Sequence, residues 1–117
     1  MSLLTTQQIT QAGLKPILSV ASPDGDSVVN TGRQYFYIKN CSTEPYGDIT
    51  CTVNPVVTTV NDPLLGVLVK KPAVITLSPL EYGFLGPFEI NAFNNVQGTI
   101  SINYSDATYV MLAVLYI

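Results

Sequence analysis

In Gln34-Tyr35-Phe36-Tyr37-Ile38-Lys39, the apolar residues Phe36 and Ile38 alternate with Tyr35, Tyr37 and Lys39, and this pattern is the clearest indication of the fold. A period of two is typical of a β-strand that has one face against a core. The alternation therefore predicts that Phe36 and Ile38 are buried. It places Tyr35 and Tyr37 on the opposite, amphipathic face.

The same alternation recurs on both sides of this stretch. Residues 49–54, 73–78 and 98–104 each alternate apolar with polar side chains, and clusters of Gly, Pro, Asn, Asp and Ser separate them. The spacing predicts about seven to nine short strands joined by tight turns. We expect an all-β chain, an antiparallel β-sandwich of the plain or jelly-roll-like kind, with residues 15–117 forming a single domain.

The N-terminal residues 1–14 are expected to form a short helix or an arm. Thr5 and Gln8 have the spacing of a capping box, and Gly13 stands where a left-handed residue ends many helices, so a helix over 3–13 is predicted.

The last stretch, residues 109–117, is apolar at every position and does not alternate. Both faces of such a strand need cover, so it should lie inside its sheet. The residues expected to cover its outer face, unless another copy of the chain does so, are Leu3, Leu4, Ile9 and Leu14.

The amino-acid composition excludes several classes of function. The 117 residues include no histidine and only 11% charged residues, while 47% are hydrophobic. Hydrolytic sites built on imidazole are excluded, and a net charge of -3 argues against nucleic acid as a partner. No membrane span or secretory signal is recognised, so synthesis in a cytoplasm is expected. A chain with so few charges is expected to expose apolar patches that copies of itself or a partner cover.

Three clusters are candidates for chemistry. Asp24-Gly25-Asp26-Ser27 offers oxygen ligands to calcium, but an ordinary turn explains it better. Cys41 and Cys51 flank a stretch with Pro45 and Gly47, so a hairpin there would bring the thiols together, either as a disulfide or as small buried side chains. The seven tyrosines either form a platform on which a sugar stacks, or they pack across strands and contact another protein. No catalytic residue, metal or cofactor is predicted.

Four segments carry a resemblance that spans most of the chain. They are Thr5-Thr-Gln-Gln-Ile-Thr-Gln-Ala-Gly-Leu14, Asn30-Thr-Gly-Arg-Gln-Tyr-Phe-Tyr-Ile-Lys-Asn40, Leu85-Gly-Pro-Phe88 with Ala92-Phe-Asn94, and Gly98-Thr-Ile-Ser-Ile-Asn-Tyr-Ser105. In this order they resemble the small β-sandwich proteins of tailed bacteriophages that decorate, or cement, the capsid. Residues 54–71 depart from that pattern as an insert.

The resemblance implies a non-enzymatic virion protein on the capsid surface. It would form a homo-oligomer, a trimer or dimer, and bind the major capsid protein to stabilise the head. Arg33 would anchor a turn, and Gly86 and Pro87 would fix a corner from which Phe88 and Phe93 enter the core. The expected contact residues, drawn from the two termini and the insert, are Leu3, Leu4, Ile9, Leu64, Leu65, Val67, Tyr109, Met111 and Tyr116.

Two other functions remain open. A head-tail connector or tail component would share the fold and differ in copy number. A carbohydrate-binding or host-recognition module would use the face that carries Tyr35 and Tyr37.

Overall fold

The computed structural model describes residues 2–43, 47–56, 59–64 and 66–117, with the backbone alone for residues 2, 59–62 and 66–69. In chain order the strands are β1 (Ser2–Leu3), β2 (Thr6–Gln8), β3 (Ser19–Val20), β4 (Asp26–Val29), β5 (Tyr35–Asn40), β6 (Ile49–Val53), β7 (Thr59–Asp62), β8 (Gly66–Val69), β9 (Ala73–Leu77), β10 (Tyr82–Leu85), β11 (Thr99–Tyr104) and β12 (Val110–Tyr116). One helical turn, α1 (Ile90–Phe93), lies between β10 and β11.

Two packed sheets form a β-sandwich, which confirms the predicted fold class. The first sheet has the order β1-β4-β11-β6-β9. The second has the order β10-β5-β12-β2, and β3 also pairs with β12. Most pairs are antiparallel, while β1 with β4 and β2 with β12 are parallel. The insert contains a separate antiparallel hairpin of β7 and β8.

The core confirms the alternation in β5. Phe36 and Ile38 are fully buried, together with Val110, Leu112 and Val114 of β12. They meet the inward residues of the first sheet, which are Val28, Ile49, Cys51, Val53, Ile100 and Ile102. Each strand therefore presents every second side chain to one shared apolar layer between the sheets.

The predicted N-terminal helix is wrong, because residues 3–13 run extended as far as Gln8 and then turn. Leu4 N donates to Ser27 O at 2.7 Å, and Ile9 N donates to Tyr116 O at 2.8 Å. The segment thus passes from the first sheet to the second and satisfies its backbone by pairing with both. Gly13 does have a positive φ of 88°, but it closes a turn in which its N–H donates to Thr10 O.

Strand β12 lies inside its sheet as predicted, between β5 on one side and β2 with β3 on the other. Leu3 and Leu4 do not cover its outer face, since Leu4 packs against the core and Leu3 is 65% exposed. Ile9 and Leu14 are half-buried. On that outer face, Ala113 stands opposite Tyr37 and Leu115 opposite Tyr35, and both are buried. The tyrosine rings of β5 therefore flank β12 where the predicted helix was expected.

The connection between β5 and β6 crosses from one sheet to the other and is not a hairpin. Buried Asn40 supports this crossing: its Nδ2 donates to Gly47 O at 2.7 Å and to Leu77 O at 3.1 Å, and its Oδ1 accepts from Ser42 N at 3.0 Å. Cys41 and Cys51 are accordingly on different sheets, and both are free thiols.

Candidate protein-binding face

Four aromatic side chains lie together on the outer surface of the second sheet. Tyr37 is central, with ring centroids 5.3 Å from Phe84 and 5.8 Å from Tyr82, and Tyr35 is 5.8 Å from Phe84. Tyr82 is 63% exposed and Phe84 57% exposed, whereas both tyrosines of β5 are half-buried. We call Tyr35, Tyr37, Tyr82 and Phe84 the aromatic face.

Register explains why these residues meet. β10 runs antiparallel to β5, with Phe84 opposite Tyr37 and Tyr82 opposite Lys39. Side chains opposite each other in such a pair share a face and contact across the strands. Gly83 separates the two aromatic residues and points inward, where an added Cβ would lie 2.7 Å from Ile75 Cδ1. The close approach of Ile75 explains why a glycine interrupts the alternation in this strand.

The sequence does not identify half of this face, because Pro79, Gly83, Gly86 and Pro87 indicate a connection between strands in residues 79–87. That interpretation is wrong, since Tyr82–Leu85 is strand β10. The sequence feature that could have indicated this strand is Tyr82-Gly83-Phe84, in which two aromatic residues stand two positions apart. Glycine at the middle position concealed the period.

Apolar surface continues from the aromatic face along β12 and β3. Met111 is half-buried and stands opposite Val20, which is exposed. Tyr109 is 51% exposed just before β12, in phase with Met111. Among the described residues of this surface, β5 contributes one charged side chain, that of Lys39. Lys39 stands opposite Tyr82 of β10 on one side and Met111 of β12 on the other.

The outer surface of the first sheet has a different chemistry. Thr50 and Thr76 stand opposite each other, with their hydroxyl oxygens 3.1 Å apart. The other small hydroxyl side chains at outward positions are Ser27, Thr52, Thr99 and Ser101. Val29 and Val74 are exposed apolar side chains among them, and this surface carries no aromatic pair like that of Tyr82 and Phe84 in its described strands β4, β6 and β9. Hydroxyls of this kind are readily solvated, so the two faces of the sandwich differ in their need for cover.

The predicted contact residues do not form one surface. Tyr109 and Met111 border the aromatic face, whereas Tyr116 lies at the end of β12 with the Arg33 guanidinium 5.8 Å from its ring centroid. Ile9 is half-buried and Leu64 exposed. Leu65 and the side chain of Val67 lie outside the described residues.

Leu3 and Leu4 line a groove of about 470 Å³ between the N-terminal segment and residues 17–20. Gln7 bridges it: its Nε2 donates to Ile17 O and its Oε1 accepts from Ile17 N, both at 2.9 Å. The groove is at the margin of the second sheet opposite β10. Gln7 therefore serves to fix the N-terminal segment there.

Two of the segments that carry the resemblance, residues 30–40 and residues 85–94, meet at one end of the sandwich. Asn30 Nδ2 donates to Phe88 O at 3.2 Å and to Asn94 Oδ1 at 2.6 Å, while Asn94 Nδ2 donates back to Asn30 O at 2.9 Å. Phe88 is buried between Phe36 and Phe93, with centroid distances of 5.8 and 5.4 Å. These contacts give the motif residues an architectural role.

Arg33 and Gly86 have more specific places in this end of the fold. Arg33 Nη2 donates to Ile117 O, so it ties the loop after β4 to the end of the chain, while Gln34 Oε1 holds the turn itself by accepting from Thr31 N at 2.7 Å. Gly86 precedes a cis peptide bond to Pro87 and has a φ of 119°. A Cβ there would lie 2.8 Å from Phe88 Cε2.

The Asp24-Gly25-Asp26-Ser27 turn shows no arrangement for calcium, since no group of three or more His, Cys, Asp or Glu residues converges within the described part of the chain. Asp26, expected in a turn, begins β4 and is fully buried. Its Oδ2 accepts from Tyr104 Oη at 2.7 Å and from Ser22 N at 3.1 Å. Asp26 Oδ1 is buried without a hydrogen-bond partner in the described residues.

Alkaline pH is expected to destabilise the fold through two weakly acidic side chains, the buried thiol of Cys51 and the half-buried hydroxyl of Tyr104. Burial, followed by the hydrogen bond to Asp26, raises the pKa of Tyr104 above its ordinary value of 10.0, and burial raises the pKa of Cys51 from 9.0 to about 11. Because both pKa values are raised by folding, the unfolded chain loses these protons at a lower pH than the folded chain. The contribution of the two side chains to the free energy of unfolding is therefore complete below about pH 9 and declines as the pH rises.

Urea unfolding at several pH values between 8 and 11 measures this decline. Tyr104→Phe should flatten the part of the slope above pH 10 and cost about 1 to 3 kcal/mol at pH 7 through the lost hydrogen bond. A slope unchanged by Tyr104→Phe would contradict the assignment.

In the part of the chain that the structure describes, no helix has the length and apolarity needed to cross a membrane. Comparison with protein-family models, with curated proteins and with solved structures finds no match.

Proposed function

We propose that this chain is a non-enzymatic structural protein that binds another protein through the aromatic face, as a decoration protein binds the outer surface of a capsid lattice. The observation that carries the proposal is the difference between the two sheet surfaces. One exposes Tyr82 and Phe84 beside Tyr35 and Tyr37, and the other carries mainly hydroxyls, with Val29 and Val74 exposed among them.

Aromatic residues on a rigid sheet suit protein contacts for a physical reason. Tyrosine and phenylalanine bury much area while losing little side-chain entropy, and they are enriched at the centres of interfaces. A protein repeated around a symmetric particle also gains binding strength from many identical weak contacts. The aromatic face supplies one such contact in each copy.

The assignment to a phage particle rests on the sequence resemblance, with the major capsid protein as partner and the virion surface as location. Mass spectrometry of purified particles of the phage that encodes the chain tests it by copy number. A decoration protein should be present in hundreds of copies, on the order of the number of lattice positions. About a dozen copies would indicate the connector or tail function, and absence from the particles would contradict every virion function.

The same aromatic face is the observation that favours carbohydrate binding as the second candidate, because Tyr37 and Tyr82 offer ring faces on which a sugar could stack. A sugar-stacking site also needs polar side chains beside the rings. Strands β5 and β10 provide one charged side chain for this purpose, that of Lys39 opposite Tyr82. If the chain bound glycans on an array and Tyr37→Ala abolished that binding, the function assigned to this face would be sugar recognition and not protein binding.

A further inference from the structure

Strand β10 forms a free edge of the second sheet. It pairs with β5 on one side, and the described residues supply no strand on its other side. Edge strands are normally protected from pairing with other chains by charged side chains, proline or a bulge. Tyr82-Gly83-Phe84-Leu85 contains no charged residue and no proline.

Backbone alternation determines which groups of β10 face outward. Asn40 N donates to Glu81 O at 2.9 Å, immediately before β10. In an antiparallel ladder, successive residues turn their N–H and C=O groups to opposite sides. Gly83 and Leu85 therefore bond to β5, whereas the N–H and C=O groups of Tyr82 and Phe84 point away from the sheet.

We propose that two copies of this chain pair antiparallel through β10, around a two-fold axis at Gly83. Tyr82 of one copy then faces Phe84 of the second, and the two outward N–H and two outward C=O groups of each copy bond reciprocally. The pairing is self-complementary, because the same two residues supply both sides.

The aromatic side chains favour this register. Tyr82 and Phe84 share the outer side of β10, so each copy places a tyrosine beside a phenylalanine of its neighbour, and aromatic cross-strand pairs stabilise sheets. The two aromatic faces join into one surface across the axis. Gly83 at the axis has no side chain, so the backbones can approach closely.

Strand β9 is the matched alternative edge, because it ends the first sheet and also lacks charges. By the same alternation, Ser105 N bonding to Thr50 O leaves Val74 and Thr76 facing outward from β9. These side chains bury less area than Tyr82 and Phe84, and we therefore assign the pairing to β10 and use β9 as the control.

Sedimentation-velocity ultracentrifugation of the purified chain tests the pairing. The wild type should sediment at twice the chain mass of 12.6 kDa. Tyr82→Lys/Phe84→Lys should be monomeric, since each lysine would face a lysine of the second copy. Tyr82→Glu/Phe84→Glu should be monomeric for the same reason, and Val74→Lys/Thr76→Lys should remain dimeric.

Mixing the lysine and glutamate variants at low salt should restore a dimer, since the register places opposite charges face to face. Thermal unfolding checks that the variants fold, which is expected because both side chains are more than half exposed. A monomeric wild type, β10 variants that remain dimeric, a β9 variant that is monomeric, or no dimer on mixing would each overturn the proposal.

The pairing stands apart from the proposed function. It is measured on the isolated chain, whereas binding to a partner is tested at Tyr35 and Tyr37, which belong to β5 and lie away from the edge. A dimer that binds no particle would leave the inference intact and remove the function.

Discussion

Replacement of Gly25 by alanine is expected to lower the free energy of unfolding by about 3 kcal/mol. Gly25 has a φ of 93°, in the left-handed region that costs an L-residue about 1 kcal/mol. A Cβ there would also lie 2.6 Å from Ile102 O and 2.8 Å from Asn103 Oδ1. Because Ile102 belongs to the paired backbone of β11, the contact cannot relax cheaply, and such overpacking costs about 2 kcal/mol more.

Gly13→Ala is the matched control for this prediction. Gly13 has a similar φ of 88°, but no atom lies within 4 Å of an added Cβ. Its replacement should therefore cost only the conformational term, about 1 kcal/mol. Urea unfolding of both variants separates the two terms. Equal losses would contradict the close packing of the Gly25 turn against β11.

The second large effect is expected in binding. Tyr35→Ala/Tyr37→Ala should weaken attachment to particles stripped of the chain by about 100-fold or more, equivalent to ~2.8 kcal/mol. Truncation of one central aromatic residue in an interface commonly costs about 2 kcal/mol, so two suffice. Quantitative sedimentation of particles with added chain measures the loss.

Thr52→Ala/Ser101→Ala is the control on the other face of the sandwich. Thr52 and Ser101 point outward from the first sheet, and their replacement should leave attachment unchanged. Affinity lost equally by both double variants would indicate a general effect on the fold. Affinity lost only by the threonine and serine variant would assign binding to the hydroxyl surface.

Local alternation was sufficient to predict the strands that have one face on the core. Phe36 and Ile38 in β5, and Cys51 in β6, are buried where the period of two places them. The interior position of β12 followed in the same way from its uninterrupted apolar run. These features depend on short-range pattern and on the need to cover apolar surface.

The features that sequence reasoning missed depend on contacts between distant segments. The helix signal around Thr5 and Gly13 was local, whereas pairing with Ser27 and Tyr116 decided the conformation. The aromatic face needed the register of β10 on β5, which adjacent residues do not encode. Gly83 also concealed the alternation. A glycine is needed there because Ile75 on another strand leaves no room for a side chain.

Electron cryomicroscopy of particles carrying the bound chain would show which surface of the sandwich contacts the neighbouring protein, and it is therefore the decisive experiment on the aromatic face. We expect the second sheet to lie against that protein, with Tyr37, Tyr82 and Phe84 excluded from solvent. A chain bound by its first sheet, with Tyr37 and Phe84 open to solvent, would contradict this expectation.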